Sequence, residues 1–242
     1  MGEAMRNNKN KNRAGFTLLE VIVVVAVIVV LTSIVVSVAT RIDSQSKERL
    51  TENTFGLLNA ALEQYKDFGY QLKDNPASYT TAESDFFLGL QFPIDCNGFT
   101  AAQVQTTLGR VLKAPSGVEI TPLAAHLDEY SGSEVLYFFL SKVPANKEIL
   151  SRIGKKLITN VGLGGQEMNI EINGNGIKYP LYRFVDAWGT TLRYDYYYDE
   201  VTVYPLSDAQ VANMKNSKRS FPLIISAGPD KVFDTADDIV NK

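Results

Sequence analysis

Residues 13–40 read RAG followed by FTLLEVIVVVAVIVVLTSIVVSVAT, and this stretch decides the fold. From 16 to 40 it is one apolar run whose single charged residue is Glu20. At about 1.5 Å per residue, a run of this size exceeds the ~30 Å hydrocarbon core of a bilayer. Val and Ile are mediocre helix formers in water. In lipid, however, backbone polar groups must be satisfied internally, so the sequence predicts a helix. Arg6, Lys9, Lys11 and Arg13 precede the run, which predicts a cytoplasmic leader and export of the chain beyond the apolar segment. The run is too long for the apolar core of an ordinary secretory signal, and no small-x-small cleavage site is clear. A carboxylate among apolar side chains at this depth is costly enough to mark Glu20 as functional.

Beyond Thr40 the pattern turns amphipathic. Leu50, Leu57, Leu58, Ala61, Leu62, Tyr65 and Phe68 fall mostly at spacings of three, four and seven, with Glu48, Glu52, Glu63, Lys66 and Asp67 on other faces. The spacing predicts one helix from about Phe16 to about Phe68, ending near Gly69. Residues 71–99 read as loops with apolar anchors such as Phe92. Residues 100–112 predict a short helix. Residues 133–142 (SEVLYFFLSK) predict either a helix or a buried strand. Gly162, Gly164, Gly165, Gly174 and Gly176 mark turns and lack the strand–loop–helix context of a phosphate-binding loop. The C-terminal third reads as sheet, with strands expected over 179–185, 191–198, 201–204 and 221–226. Three or four antiparallel strands closing over the second half of the helix give an α+β head.

The chain of 242 residues can bury a core without disulfides, and its one cysteine, Cys96, reads as a small buried side chain. His126 is the only histidine, and no nucleophile elbow, zinc set or paired catalytic group accompanies it. Near the C-terminus, Ser226-Ala227-Gly228-Pro229-Asp230 is followed by Asp234, Asp237 and Asp238. On composition this is either a solvated acidic tail or a hard-cation loop. It is not an EF-hand, because the ligand alternation and the closing glutamate are absent.

Gly15-Phe16-Thr17-Leu18-Leu19-Glu20 resembles the cleavage motif of type IV prepilins and of type II secretion pseudopilins. The resemblance implies that a prepilin peptidase cuts between Gly15 and Phe16 and methylates Phe16. Glu20, then the fifth residue, pairs with the N-terminal amine of a neighbouring subunit and sets the axial register. Such a pair makes two groups tolerable that are expensive to bury alone. Loss of the leader removes four basic residues and one acidic residue, Glu3, from 24 and 27, leaving 20 and 26 and a net charge of −6. That acidity argues against a nucleic-acid surface.

The S-x-G-P-D pattern with its trailing D-D-I is similar to the calcium loop of the major pseudopilin of type II secretion. Asp186-Ala187-Trp188-Gly189 with Tyr194 resembles a second motif of the same family, usually Asp-Pro-Trp-Gly. The resemblance implies Ca2+ held by Asp230, Asp237 and Asp238, with Asp234 as a possible addition, carbonyls near Ser226 and Gly228, and Trp188 in the core. Ala187 in place of proline, and Lys231 and Asp234 where glycine is frequent, depart from the pattern. So does the long stretch from 70 to 180, an extra subdomain or the mark of a specialised relative.

The organisation this implies is a cleaved leader (1–15), a transmembrane and filament-core segment (16–40), the amphipathic half of the same helix (41–69), an inserted region (70–180) and a C-terminal sheet with the acidic loop (181–242). The expectation is a pilin-like structural subunit, not an enzyme. It would sit in the bacterial inner membrane as a single pass, with its head in the periplasm. It would assemble with itself, with minor pseudopilins and with an inner-membrane assembly platform to drive protein export. A minor pseudopilin, a type IV pilin for adhesion, motility or DNA uptake, and a membrane-tethered binding module are the alternatives.

Overall fold

The structure, a computed structural model, describes residues 17–74, 91–93, 96–104, 108, 119–121, 126–171, 178–197 and 218–241. The chain forms two compact units, Met1–Gln45 and Ser46–Lys242. Helix α1, Leu18–Asp74, begins in the first and ends in the second. It runs past the expected end near Gly69. Gly15, Phe16 and the strand expected over 201–204 lie outside the described residues, as does most of the helix expected over 100–112.

In the first unit the Val, Ile and Leu side chains from Leu18 to Ile42 are 49–81% exposed, so none of the described residues covers them. Among the described residues this is the one helix long and apolar enough to cross a membrane. Three of its hydroxyls are satisfied by the helix itself. Thr32 Oγ1 donates to the Ile28 carbonyl at 2.7 Å, Ser33 Oγ to Val30 at 2.7 Å and Thr40 Oγ1 to Ser37 at 2.9 Å. Back-bonding of this kind lets Ser and Thr sit in an apolar run without orphaned polar groups.

In the second unit the same helix buries Leu58, Ala61, Leu62 and Tyr65 of the stripe read from the sequence, adds Phe55, and leaves Leu57 and Phe68 half-buried. Leu50 is a correction to that stripe: it is 45% exposed, and Thr51 and Thr54 take the buried positions beside it. Three polar contacts fasten this half of α1. Asn146 Nδ2 donates to the Ala61 carbonyl at 3.0 Å, the Ala187 amide to Thr51 Oγ1 at 3.3 Å, and Asn241 Nδ2 to Asn59 Oδ1 at 2.7 Å.

The segment 133–142 resolves as helix, α2, Ser131–Lys142, followed by a short helix α3, Asn146–Arg152. Val135, Leu136, Phe139 and Leu140 turn one face of α2 into the core, with Phe139 edge-on to Tyr65. Gly132 lies at its start, and a Cβ there would push the Asn97 side chain aside.

Among the described residues, eight short strands make three antiparallel sheets. They are β1 (Glu119–Thr121), β2 (Ile158–Thr159), β3 (Asn169–Glu171), β4 (Lys178–Pro180), β5 (Arg183–Phe184), β6 (Arg193–Tyr197), β7 (Lys218–Ser226) and β8 (Ile239–Val240). The orders are β1-β3-β4, β2-β5 and β6-β7-β8. The single strand expected over 179–185 is therefore two, in different sheets. The pairing with β3 runs on past Pro180, where the Leu181 amide donates to the Met168 carbonyl at 2.9 Å, and from Arg183 the chain pairs with β2 instead.

In β6, Tyr194 and Tyr196 point inward and are fully buried, and Arg193 lies on the other face. The β6–β7 register shifts between Asp195 and Tyr197, opposite the part of β7 that carries Pro222. A proline in a central strand needs such an irregularity. The stretch from 70 to 180 contributes α2, α3 and four of the strands to the same compact unit as the C-terminal sheet.

Candidate functional site

At the start of α1, Thr17 and Glu20 hold each other. The Thr17 amide and Oγ1 both donate to Glu20 Oε2, at 2.8 and 2.9 Å, and the Glu20 amide donates to Thr17 Oγ1 at 3.2 Å. This is a Thr-x-x-Glu capping box, which satisfies helix-end donors in both directions. The sequence already carries the signal, a threonine three residues before a glutamate at the head of an apolar run. All three contacts use one carboxylate oxygen or the Thr17 hydroxyl, and the glutamate lies on exposed helix surface.

At the other end of the chain, the two motifs singled out in the sequence come together. The turn at Asp186–Gly189 closes with Asp186 Oδ1 accepting the Trp188 and Thr190 amides at 2.9 and 2.8 Å. Its other oxygen, Oδ2, accepts the Ser226 hydroxyl at 2.7 Å, and Ser226 Oγ in turn accepts the Gly228 amide at 3.2 Å. Asp186 and Ser226 are both buried. Gly228 has φ +64°, and a Cβ on it would overlap the Asp237 carbonyl oxygen, so only glycine fits there. Trp188 is half-buried and lies at this turn, not in the core.

The loop from Gly228 to Asp238 is closed by its own carboxylates. Asp237 Oδ2 accepts the Asp230 amide at 3.1 Å, and Oδ1 accepts the Thr235 hydroxyl at 2.7 Å. Asp230 Oδ1 accepts the Val232 amide at 2.8 Å, and Asp238 Oδ2 the Asp234 amide at 2.8 Å. The Thr235 hydroxyl and, after it, the Asp230 amide hold the Asp237 carboxyl below its ordinary value. Lys231 and Asp234 adopt φ of 62° and 67°, the left-handed region where glycine is usual.

Asp234 is engaged elsewhere. Arg193 of β6 grips both its oxygens, Nη2 to Oδ1 at 2.8 Å and Nη1 to Oδ2 at 3.2 Å, and lies 4.8 Å from the centre of the Phe233 ring. The guanidinium holds the Asp234 carboxyl below its ordinary value. The partner role of Arg193 escapes sequence reading, because it depends on which face of β6 turns toward the loop. Among the described residues, no three His, Cys, Asp or Glu side chains gather as they would around a bound metal. The donors of the loop are nevertheless all oxygen, as a hard cation needs. Asp238 Oδ1 is buried without a hydrogen-bond partner, an orphan that a cation would satisfy.

His126 sits in a third cluster. Its Nε2 lies 3.0 Å from Glu134 Oε2, and both side chains are buried, 3% and 0% exposed. Arg183 stacks over the Tyr130 ring at 3.7 Å, donates from Nε to Thr191 Oγ1 at 3.1 Å and from Nη2 to the Val161 carbonyl at 2.8 Å. Burial pushes the Glu134 carboxyl up, against the pull of the His126 hydrogen bond and of the nearby His126 and Arg183 charges.

Residues 10–36 match the family model of the prokaryotic N-terminal methylation motif. The match takes in the end of the basic leader, the Gly15–Phe16 junction, Glu20 and the first part of the apolar helix. It supports a type IV pilin-like subunit that is membrane-anchored, processed by prepilin peptidase and assembled into filaments. No curated protein and no solved structure matches the chain.

Proposed function

We propose that the chain is a structural subunit of a type II secretion pseudopilus, assembling through α1 in the inner membrane with its head in the periplasm. One observation carries this reading. A methylation motif runs directly into a helix whose apolar side chains find no cover among the described residues. Such a surface is buried by lipid before assembly and by neighbouring helices after it. The partners are further copies of this chain, minor pseudopilins, the peptidase and an assembly platform. Mass spectrometry of the purified mature protein tests the reading: its first residue is expected to be methylated Phe16, and any other start overturns it. A second reading, a minor pseudopilin or type IV pilin subunit, is favoured by the α-helices and strands that residues 119–184 add to the head.

The C-terminal loop is the element that points to the major type. In this proposal Asp230, Asp237 and Asp238 hold Ca2+ with nearby carbonyls, while Asp234 stays with Arg193. The ion would supply no chemistry beyond cross-linking the loop, and it would stabilise the folded head by mass action. Replacing Asp237 and Asp238 together by alanine is expected to remove a calcium-dependent rise in Tm of about 5 °C. Thermal scans in calcium and in chelator check this, and an unchanged calcium response in the double variant would remove the site.

A further inference from the structure

We propose that a cleft between α2 and the segment joining β4 to β5 binds a neutral pyranose ring. The cleft encloses about 220 Å3. Glu134, Tyr137, Phe138 and Lys142 reach it from one face of α2, at spacings of three, four and eight, and Tyr179 and Tyr182 line the opposite side. The Tyr137 and Tyr182 rings meet across it, 5.2 Å between centroids and tilted by 55°.

The chemistry of the lining selects the ligand class. Aromatic faces are electron-rich and attract the weakly positive C–H groups of an oxygen-bearing ring. Among the described residues, no hydrogen bond engages the hydroxyls of Tyr137, Tyr179 or Tyr182. Burial pushes the Tyr137 phenol up, so it stays protonated and able to donate. Glu134, wholly buried, contributes to the wall and has Oε1 without a partner. Lys142 Nζ lies 4.7 Å from the centre of the Phe138 ring and is the one cation of the lining. The Glu134 carboxyl is too deeply buried for a ligand to reach. A cationic ligand would therefore meet a like charge, and an apolar one would leave the phenols and the ammonium unsatisfied. A hydroxyl both donates and accepts, so a polyhydroxylated ring can serve ammonium and phenols together.

The test uses the full chain in a detergent without a sugar headgroup. Saturation-transfer NMR is run with methyl β-D-glucopyranoside, methyl β-D-galactopyranoside and the methyl glycoside of N-acetylglucosamine. Tetramethylammonium, benzoate and glycine betaine are the controls. Saturation of the ring protons of at least one glycoside is expected, with affinity falling about tenfold in Tyr182→Ala, the loss of one aromatic contact. Lys142→Ala, an exposed change that spares the fold, is expected to weaken the same glycoside and keeps the test decisive if Tyr182→Ala misfolds. No glycoside saturation, saturation that both variants leave unchanged, or tetramethylammonium binding that Lys142→Ala tightens would each overturn the proposal.

Discussion

Glu20→Ala is expected to leave membrane insertion and leader cleavage intact and to lower filament yield by about tenfold or more, because the neighbour's amine then stays buried without a counter-charge. The capping box makes the experiment sharper. Capping is the local job of Glu20, pairing with a neighbour's amine is the proposed one between chains, and substitutions separate them. Glu20→Gln keeps an oxygen that can accept the Thr17 amide and hydroxyl, as glutamine does in capping boxes generally. It removes only the charge. Thr17→Val breaks the box and keeps the carboxylate. If the pairing role holds, Glu20→Gln loses filaments almost as fully as Glu20→Ala, and Thr17→Val retains most of them. Filament counts by electron microscopy, with N-terminal sequencing to confirm processing, give the answer. Normal filament yield from Glu20→Gln would mean that the carboxylate merely caps its own helix.

The second large effect lies inside the head. Glu134→Ala is expected to destabilise the chain by about 3 kcal/mol in urea denaturation, the cost of removing one member of a buried ionisable set. His126 loses its hydrogen-bond partner at 3.0 Å, and Arg183, itself largely buried, loses a nearby negative charge. Glu134→Gln should cost much less, since the amide keeps the side chain's volume and an oxygen within hydrogen-bond reach of His126. The pH dependence has a definite sign. The folded Glu134 holds its proton more tightly than the unfolded chain does, so the unfolded state binds fewer protons between 4.5 and the raised folded value. Its contribution is complete below pH 4.5 and is lost as pH rises through that window. Glu134→Gln should flatten this part of the stability profile. A profile identical to wild type would place the titration elsewhere.

Much of the architecture was legible because it is written in period and composition. The apolar run, the stripe from Leu58 to Tyr65, the aromatic strand around Tyr194 and the segment Phe221–Ser226 each follow from local patterning. What was not legible depended on distant partners. Residues 133–142 could be helix or strand until the α1 and β5 surfaces they pack on were known. Leu50 fits the stripe by spacing but lies off the face that Thr51 and Thr54 bury. The run 179–185 reads as one strand, and its division between two sheets is a matter of topology. At the acidic loop, Asp230, Asp237 and Asp238 announced themselves by type. The hold of Arg193 on Asp234, and of Asp186 on Ser226, spans 41 and 40 residues and leaves no local trace.

The bond between Asn59 and Asn241 has a consequence for how the protein is made. The two residues are 182 positions apart. At about 5–20 residues per second, ribosomes need roughly 10–40 s to travel between them. Throughout that interval Leu58, Leu62 and Tyr65 already exist without the whole of the core that later buries them. The nascent chain thus spends its youth with a greasy flank undressed, in addition to the segment meant for oil, and whatever escorts it must shield both.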